Sequence, residues 1–261
     1  MTTTTTRTIG PAGALSDALV LAWRNYKHHV RVPSLIVFSL VTPMIFLLLF
    51  RYVLGGSIVI PGVSYVDFLV PGVIVQSIAF GATQTGVGLA TDVGRGVTDR
   101  FRSLPISRSA VVAGRALVDT GRNALVTVVV LAVGLLIGFR PDGNPARIVA
   151  AIVIALAFGY AFSWVAALIG VTVRHAEAVH DAGFVWVIPL TFASSALVAV
   201  DSMPSGVRWF AEANPVTSIA DAVRALMLGT PAGGAVLRSA VWIAALLLAF
   251  VPLAVRAYQR R

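Results

Sequence analysis

Six apolar runs, each close to 20 residues, dominate the sequence. They lie at 34–54, 67–90, 110–138, 147–173, 183–200 and 236–256. About 20 helical residues span ~30 Å of hydrocarbon, so each run is the length of one membrane crossing. The chain is 57% hydrophobic and 12% charged, with mean hydropathy +0.88. That leaves too little polar surface to coat a soluble core, so the expected fold is an all-α polytopic membrane protein of six spans. Pro43, Pro71, Pro189 and Pro252 fall within or at the ends of the runs. Transmembrane helices tolerate them where neighbours satisfy the freed carbonyls, and kinks are expected there.

The net charge of +9 is carried in short clusters between the runs, not along one face. This pattern points to membrane orientation, and no nucleic-acid partner is expected. Arg24, Lys27 and Arg31, then Arg95, Arg100, Arg102, Arg108 and Arg115, then Arg256, Arg260 and Arg261 mark cytoplasmic sides. The connection 55–66 has no Arg or Lys, and the third connection has only Arg140 and Arg147 around Pro-Asp-Gly-Asn-Pro. These face outward, which places both termini in the cytoplasm of a multi-pass protein of the bacterial inner membrane. Residues 1–10 read as a disordered tail without a signal-peptide core. In 11–31, Leu15, Leu19, Trp23 and Tyr26 oppose Asp17, Arg24, Lys27 and His28, the pattern of an interfacial helix lying on membrane lipid.

Four stretches carry candidate function. Between the second and third spans, Val93, Val97, Phe101 and Leu104 share one helical face, and Asp92, Arg95, Asp99, Arg100 and Arg102 cover the other. This predicts a short amphipathic helix over 92–104, ended by Pro105, with Ser107 or Ser109 capping the next helix. It suits either an anchor on lipid or a lever moved by a cytoplasmic partner. In the third span, Arg115, Asp119 and Arg122 stand at i, i+4 and i+7, so Asp119 can reach a guanidinium on either side as an intramembrane charge network. In the second span, Gln76, Thr83 and Gln84 could line a pathway or bond neighbouring helices. Residues 203–230 read as two short helices broken at Asn214-Pro215, with Thr217 or Ser218 capping the second, either re-entrant or lying on the outer surface. Arg51 is expected to snorkel to the outer interface.

Other chemistry finds little support. The chain has no cysteine, and its single lysine, Lys27, is not in a phosphate-binding Gly-x-x-x-x-Gly-Lys loop. There is no Gly-x-Ser-x-Gly elbow, and no catalytic residue is assigned. His175, Glu177, His180 and Asp181 lack a zinc spacing and read as a solvated turn, so no metal site is assigned.

Two segments resemble the permease subunits of ABC-type-2 exporters, particularly the daunorubicin-resistance-like group. These are Asp99-Arg-Phe-Arg-Ser-Leu-Pro-Ile-Ser-Arg-Ser-Ala-Val-Val-Ala-Gly-Arg115 and Asn214-Pro-Val-Thr-Ser-Ile-Ala-Asp-Ala-Val-Arg224, the latter followed by Leu228-Gly229. The resemblance covers nearly the whole chain. It implies a dimer with a second permease, and separate cytoplasmic ATPase subunits docked through a coupling helix near 92–104, where Val93, Val97, Arg100, Phe101, Arg102 and Leu104 would make contact. It implies outer re-entrant helices around Asn214 and Pro215. ATP and magnesium would belong to the partner, with no cofactor on this chain, and the cargo would be a hydrophobic drug, antibiotic or lipid. Gly94 and Gly96 depart from the family's acidic residues and weaken a helix there.

Two other readings stay open. Asp142-Gly-Asn-Pro-Ala-Arg147 matches part of a CDP-alcohol phosphotransferase signature, although the further metal-binding aspartates are missing. An ATP-independent carrier or channel would need a filter or an inverted repeat, and neither stands out.

Overall fold

The computed structural model of the protein describes residues 33–56, 60, 62–96, 108–173 and 175–260. The interfacial helix expected at 11–31 lies outside them. So do Val97, Arg100, Phe101, Arg102, Leu104 and the expected cap Ser107. Among the described residues every regular element is helical. The order is α1 (Pro33–Leu49) with a π turn (Phe50–Leu54), α2 (Tyr65–Gly94), α3 (Arg108–Leu136), α4 (Pro145–Thr172), α5 (Ala176–Phe192), a 3-10 turn (Val200–Ser202), α6 (Ser205–Glu212), α7 (Pro215–Met227) and α8 (Gly233–Arg260).

Four helices, α2, α3, α4 and α8, are long and apolar enough to cross a membrane. The other two apolar runs give shorter helices of 17 residues each, α1 and α5. At ~1.5 Å per residue these reach about 26 Å. The fifth run differs most from expectation. Its helix begins at Ala176, so His175 is the residue before the helix and Glu177, His180 and Asp181 occupy its first turns instead of a free connection. The Glu177 carboxylate, in the first turn, suits the positive end of the helix dipole. The same helix stops at Phe192 instead of reaching 200, and Ser194, Ser195, Ala196 and Leu197 continue as buried, non-helical chain.

Local chemistry explains the boundaries. Ser64 begins α2 by accepting the Asp67 backbone N–H at 3.2 Å. Both Asn-Pro dipeptides start helices in one way: the Asn side chain accepts a first-turn N–H, and proline takes the position where no donor is needed. Asn144 accepts from Arg147 at 2.9 Å and Asn214 from Val216 at 2.9 Å. Asn214, not Thr217 or Ser218, is therefore the cap of α7. The predicted extended backbone before proline is present, at φ −78° and ψ 130°.

α2 is the hub and packs against α3, α4, α5 and α7. Its Gly86 lies so close to the backbones of Ala166 and Gly170 in α4 that a methyl group on either glycine would strike main chain. Small residues serve this purpose where helix backbones touch inside a membrane. One apolar core fills most of the bundle. A second, around Leu89, Val112, Trp164, Val171 and Tyr258, closes the end next to the Arg-rich connection. α7 is sunk between α2, α4 and α8, with residues 216–220, Ala222, Val223, Leu226 and Met227 buried. In contrast, α6 buries Ala211 alone, and Trp209 is 73% exposed.

Candidate functional site

The Arg-rich end of α2 and α3 holds a row of polar contacts. On α2, Gly81, Thr85, Gly88 and Asp92 recur at i, i+4, i+7 and i+11, one face of the helix. Opposite them on α3 stand Asn123, Arg122, Asp119 and Arg115. Arg122 donates to the Gly81 carbonyl at 2.7 Å and pairs with Asp119 at 3.3 Å. The Thr85 hydroxyl donates to Asp119 at 2.6 Å. Arg115 crosses the bare backbone of Gly88 and pairs with Asp92 at 3.0 Å. Asp119 is 1% exposed, so its charge depends on these partners. The expectation from sequence is corrected in one respect: Arg115 pairs across the helices with Asp92, not along its own helix with Asp119. Periodicity within α3 gives no role to Asp92, Thr85 or the two glycines as partners. Their shared spacing with 115, 119 and 122 is the signal that could find them.

Asp92 and Val93 belong to the last turn of α2 and do not open a separate helix at 92. Arg95 N–H returns to the Thr91 carbonyl and Gly96 N–H to the Val93 carbonyl, and Gly96 takes φ +67°. This left-handed glycine closes the helix, a role an acidic residue would fill at a strain cost.

The three candidate pathway residues divide. Gln76 is 2% exposed, and its amide nitrogen has no partner. Thr83 is buried against Gly183 of α5 and donates to the Phe80 carbonyl at 2.7 Å. Of the three, Gln84 alone reaches the surface. One turn on, Val87 joins Ala176, Glu177, His180 and Asp181 around an open hollow of about 480 Å³. His180 stacks edge-on against Phe184 at 4.8 Å, and Phe184 meets Phe80 at 5.9 Å.

The opposite end is fastened by a different cluster. Arg224 of α7 donates to the carbonyls of Phe68 at 3.2 Å and Ser195 at 2.7 Å. It pairs with Asp221 at 3.0 Å and lies 3.6 Å over the Phe68 ring. Asp221 also accepts the Ser195 hydroxyl at 2.6 Å. The Asn214 amide donates to the carbonyls of Leu190 and Ala193, at 2.7 and 2.9 Å, which satisfies the end of α5. These bonds explain how non-helical chain can be buried after Phe192. Sequence reasoning singles out Asn214 and Pro215 but gives Asp221, Arg224 and Ser195 no role. An Asp and an Arg three apart on an apolar helix carry the same signal that flags Asp119 and Arg122. The Pro-Asp-Gly-Asn-Pro turn joins this end: Gly143 N–H bonds the Met227 carbonyl at 2.9 Å, Arg147 the Gly229 carbonyl at 2.7 Å, and Arg140 N–H the Asp67 carboxylate at 2.9 Å. Arg51 sits half-buried in the π turn, its Nε unpartnered and its guanidinium 5.9 Å from the Tyr52 ring.

Comparison with known proteins places this geometry in a family. The family model described as ABC-2 type transporter matches residues 17–228. The chain is 34% identical over 250 residues to the daunorubicin resistance ABC transporter permease protein DrrB1 of Streptomyces coeruleorubidus, covering 96% of this chain and 88% of that one. It is 25% identical over 222 residues to the probable doxorubicin resistance ABC transporter permease protein DrrC of Mycobacterium tuberculosis strain H37Rv, covering 84% and 80%. A shorter match of 31% over 112 residues, 43% of this chain and 39% of the relative, joins it to the doxorubicin resistance permease DrrB of the same strain.

Proposed function

From the premise that the chain belongs to the ABC-2 type transporter family and is a permease subunit of an ABC exporter, we propose how it works: it forms the export path for a hydrophobic drug, antibiotic or lipid. Energy comes from a separate cytoplasmic ATPase subunit that holds the ATP and magnesium. The carrying observation is the match to a drug-resistance permease along 96% of the chain. α1 with its π turn and α5 complete six crossings with α2, α3, α4 and α8. Both termini and the Arg-rich connection face the cytoplasm, because those are the ends where Arg concentrates. Val93 at the end of α2, with Val97, Arg100, Phe101, Arg102 and Leu104 in the connection after it, receives the ATPase. α6 and α7, meeting at Asn214-Pro215, form the outer closure, with α7 re-entrant and α6 at the lipid surface. The exposed apolar faces of α1 and α5, with Phe38, Ile45, Val185 and Ile188, suit lipid and a second permease. Gln84 stands beside the path, whereas Gln76 and Thr83 are buried inside the bundle.

The residues behind the phosphotransferase reading serve another purpose. Asn144 caps α4, and Gly143 and Arg147 bind the end of α7, which favours the exporter. The test is co-expression with a Walker-motif ATPase in a drug-sensitive host. Efflux is expected to require both chains, and Phe101→Asp or Leu104→Asp should abolish efflux and co-purification. Efflux by the permease alone, or variants that assemble and pump normally, would refute the scheme. Cysteine labelling of residue 100 from outside intact cells would refute the orientation.

A further inference from the structure

Apolar packing is enough to hold two membrane helices together, and α2 and α3 use it in the half remote from the Arg-rich connection, where Val70 packs on Gly134. In the other half the same interface changes to polar contacts: Asp92 with Arg115, Thr85 with Asp119, and Arg122 on the Gly81 carbonyl. Charges near a helix end can escape to water by snorkelling, which would make such a row incidental. That does not describe Arg122. It lies about 21 Å along α3 at ~1.5 Å per residue from Arg108, and its hydrogen bond runs inward to the Gly81 carbonyl.

A buried ion pair is poor as glue, since desolvation consumes most of the attraction, but it is a strong register pin. Sliding α2 one turn past α3 would leave the Asp119–Arg122 pair whole, since both lie on α3, but would break Asp92–Arg115 and strip the pair of Thr85 and the Gly81 carbonyl, its partners on α2. We infer that this row locks α2 and α3 into one lever that carries force applied at this end of the bundle by the ATPase to α4, α5 and α7. Asp92, Thr85, Arg115, Asp119 and Arg122 are then positioning residues for energy coupling. The inference rests on the exporter reading. It is carried by the confinement of polar contacts to the half of the interface that adjoins the connection.

The test uses the intact permease with its ATPase in proteoliposomes, reading ATP hydrolysis and transport separately. Asp92→Asn removes the ion pair. Gly88→Ala changes no charge but places a methyl group where the Arg115 guanidinium lies. Both variants should keep co-purification and ATP hydrolysis while transport per ATP falls about tenfold, the scale of losing one close pair. The chain has no native cysteine, so Asp92→Cys with Arg115→Cys can be joined by a short thiol-reactive bridge. Unbridged, this double variant should be uncoupled; bridged, it should recover to within about twofold of the unaltered complex, since the covalent link replaces the pin.

The lever is overturned if Asp92→Asn and Gly88→Ala keep normal transport per ATP, or if the bridge leaves the double variant uncoupled. It is also overturned if all variants lose assembly and hydrolysis together, which marks a merely structural row. ATP-dependent transport by the unaltered complex separates the two failures: its absence strikes the exporter reading, and its presence with unaffected variants strikes the lever alone.

Discussion

Arg224 and Arg115 are both guanidinium groups enclosed between helices, yet they are held in opposite ways. Arg224 directs two of its three nitrogens to main-chain carbonyls, those of Phe68 and Ser195, and the third to Asp221, with an aromatic ring beneath. Arg115 binds one side chain, Asp92, and its Nε has no partner. Arg122 and Asn123 likewise each leave a nitrogen unpartnered. The difference reflects the job of each cluster. Near Arg224 the chain leaves the helix at Phe192, and side chains of Asn214, Thr217 and Arg224 bond its backbone groups in place of a helix. Near Arg115 both helices are intact, so the side chains fix how one helix sits on the other. The first arrangement secures folding; the second secures register.

This contrast can be broken by comparing like changes at the two ends. The largest effect is expected for Arg224→Leu, which strands a carboxylate and two buried carbonyls and should cost about 3–5 kcal/mol. Thermal unfolding in detergent measures it, and a loss below that of the Arg115 variants would erase the distinction. Asn214→Ala comes next at about 2 kcal/mol, from the lost cap and the carbonyls of Leu190 and Ala193 left bare. Faster protease cleavage near residue 195 should accompany it. Thr85→Val should cost about 0.6 kcal/mol, the usual value of one interhelical hydrogen bond in a membrane, visible as a small shift in unfolding midpoint.

The smallest effect sharpens the comparison most. The double change Asp92→Leu with Arg115→Met removes both charges together and should leave stability close to that of the parent, within about 0.5 kcal/mol. The equivalent double change Asp221→Leu with Arg224→Met should not, because the carbonyls of Phe68 and Ser195 would still lose their donor. Equal stability of the two double variants would show that the main chain around Ser195 does not need Arg224.

Much of this is legible in the chain itself. Apolar length fixes where helices can cross, since lipid admits no unsatisfied backbone, and α2, α3, α4 and α8 each lie within a few residues of the predicted runs. Asn214-Pro215 marks its own break because proline constrains the residue before it and asparagine caps the helix after it. The buried charges of α3 are visible because a charge within an apolar run must find a partner.

Which partner it finds depends on how helices distant in sequence come together, and the tertiary structure alone decided that. Periodicity along α3 makes Arg115 and Asp119 neighbours, but a bare glycine at position 88 of another helix lets Arg115 reach Asp92 instead. The end of α5 also escapes the sequence, because residues 193–199 are as apolar as a span, and their departure from the helix is permitted by Asn214, Thr217 and Arg224 from further along the chain. A sequence states what each segment must bury; the packed fold determines whose side chain satisfies the groups that burial leaves bare.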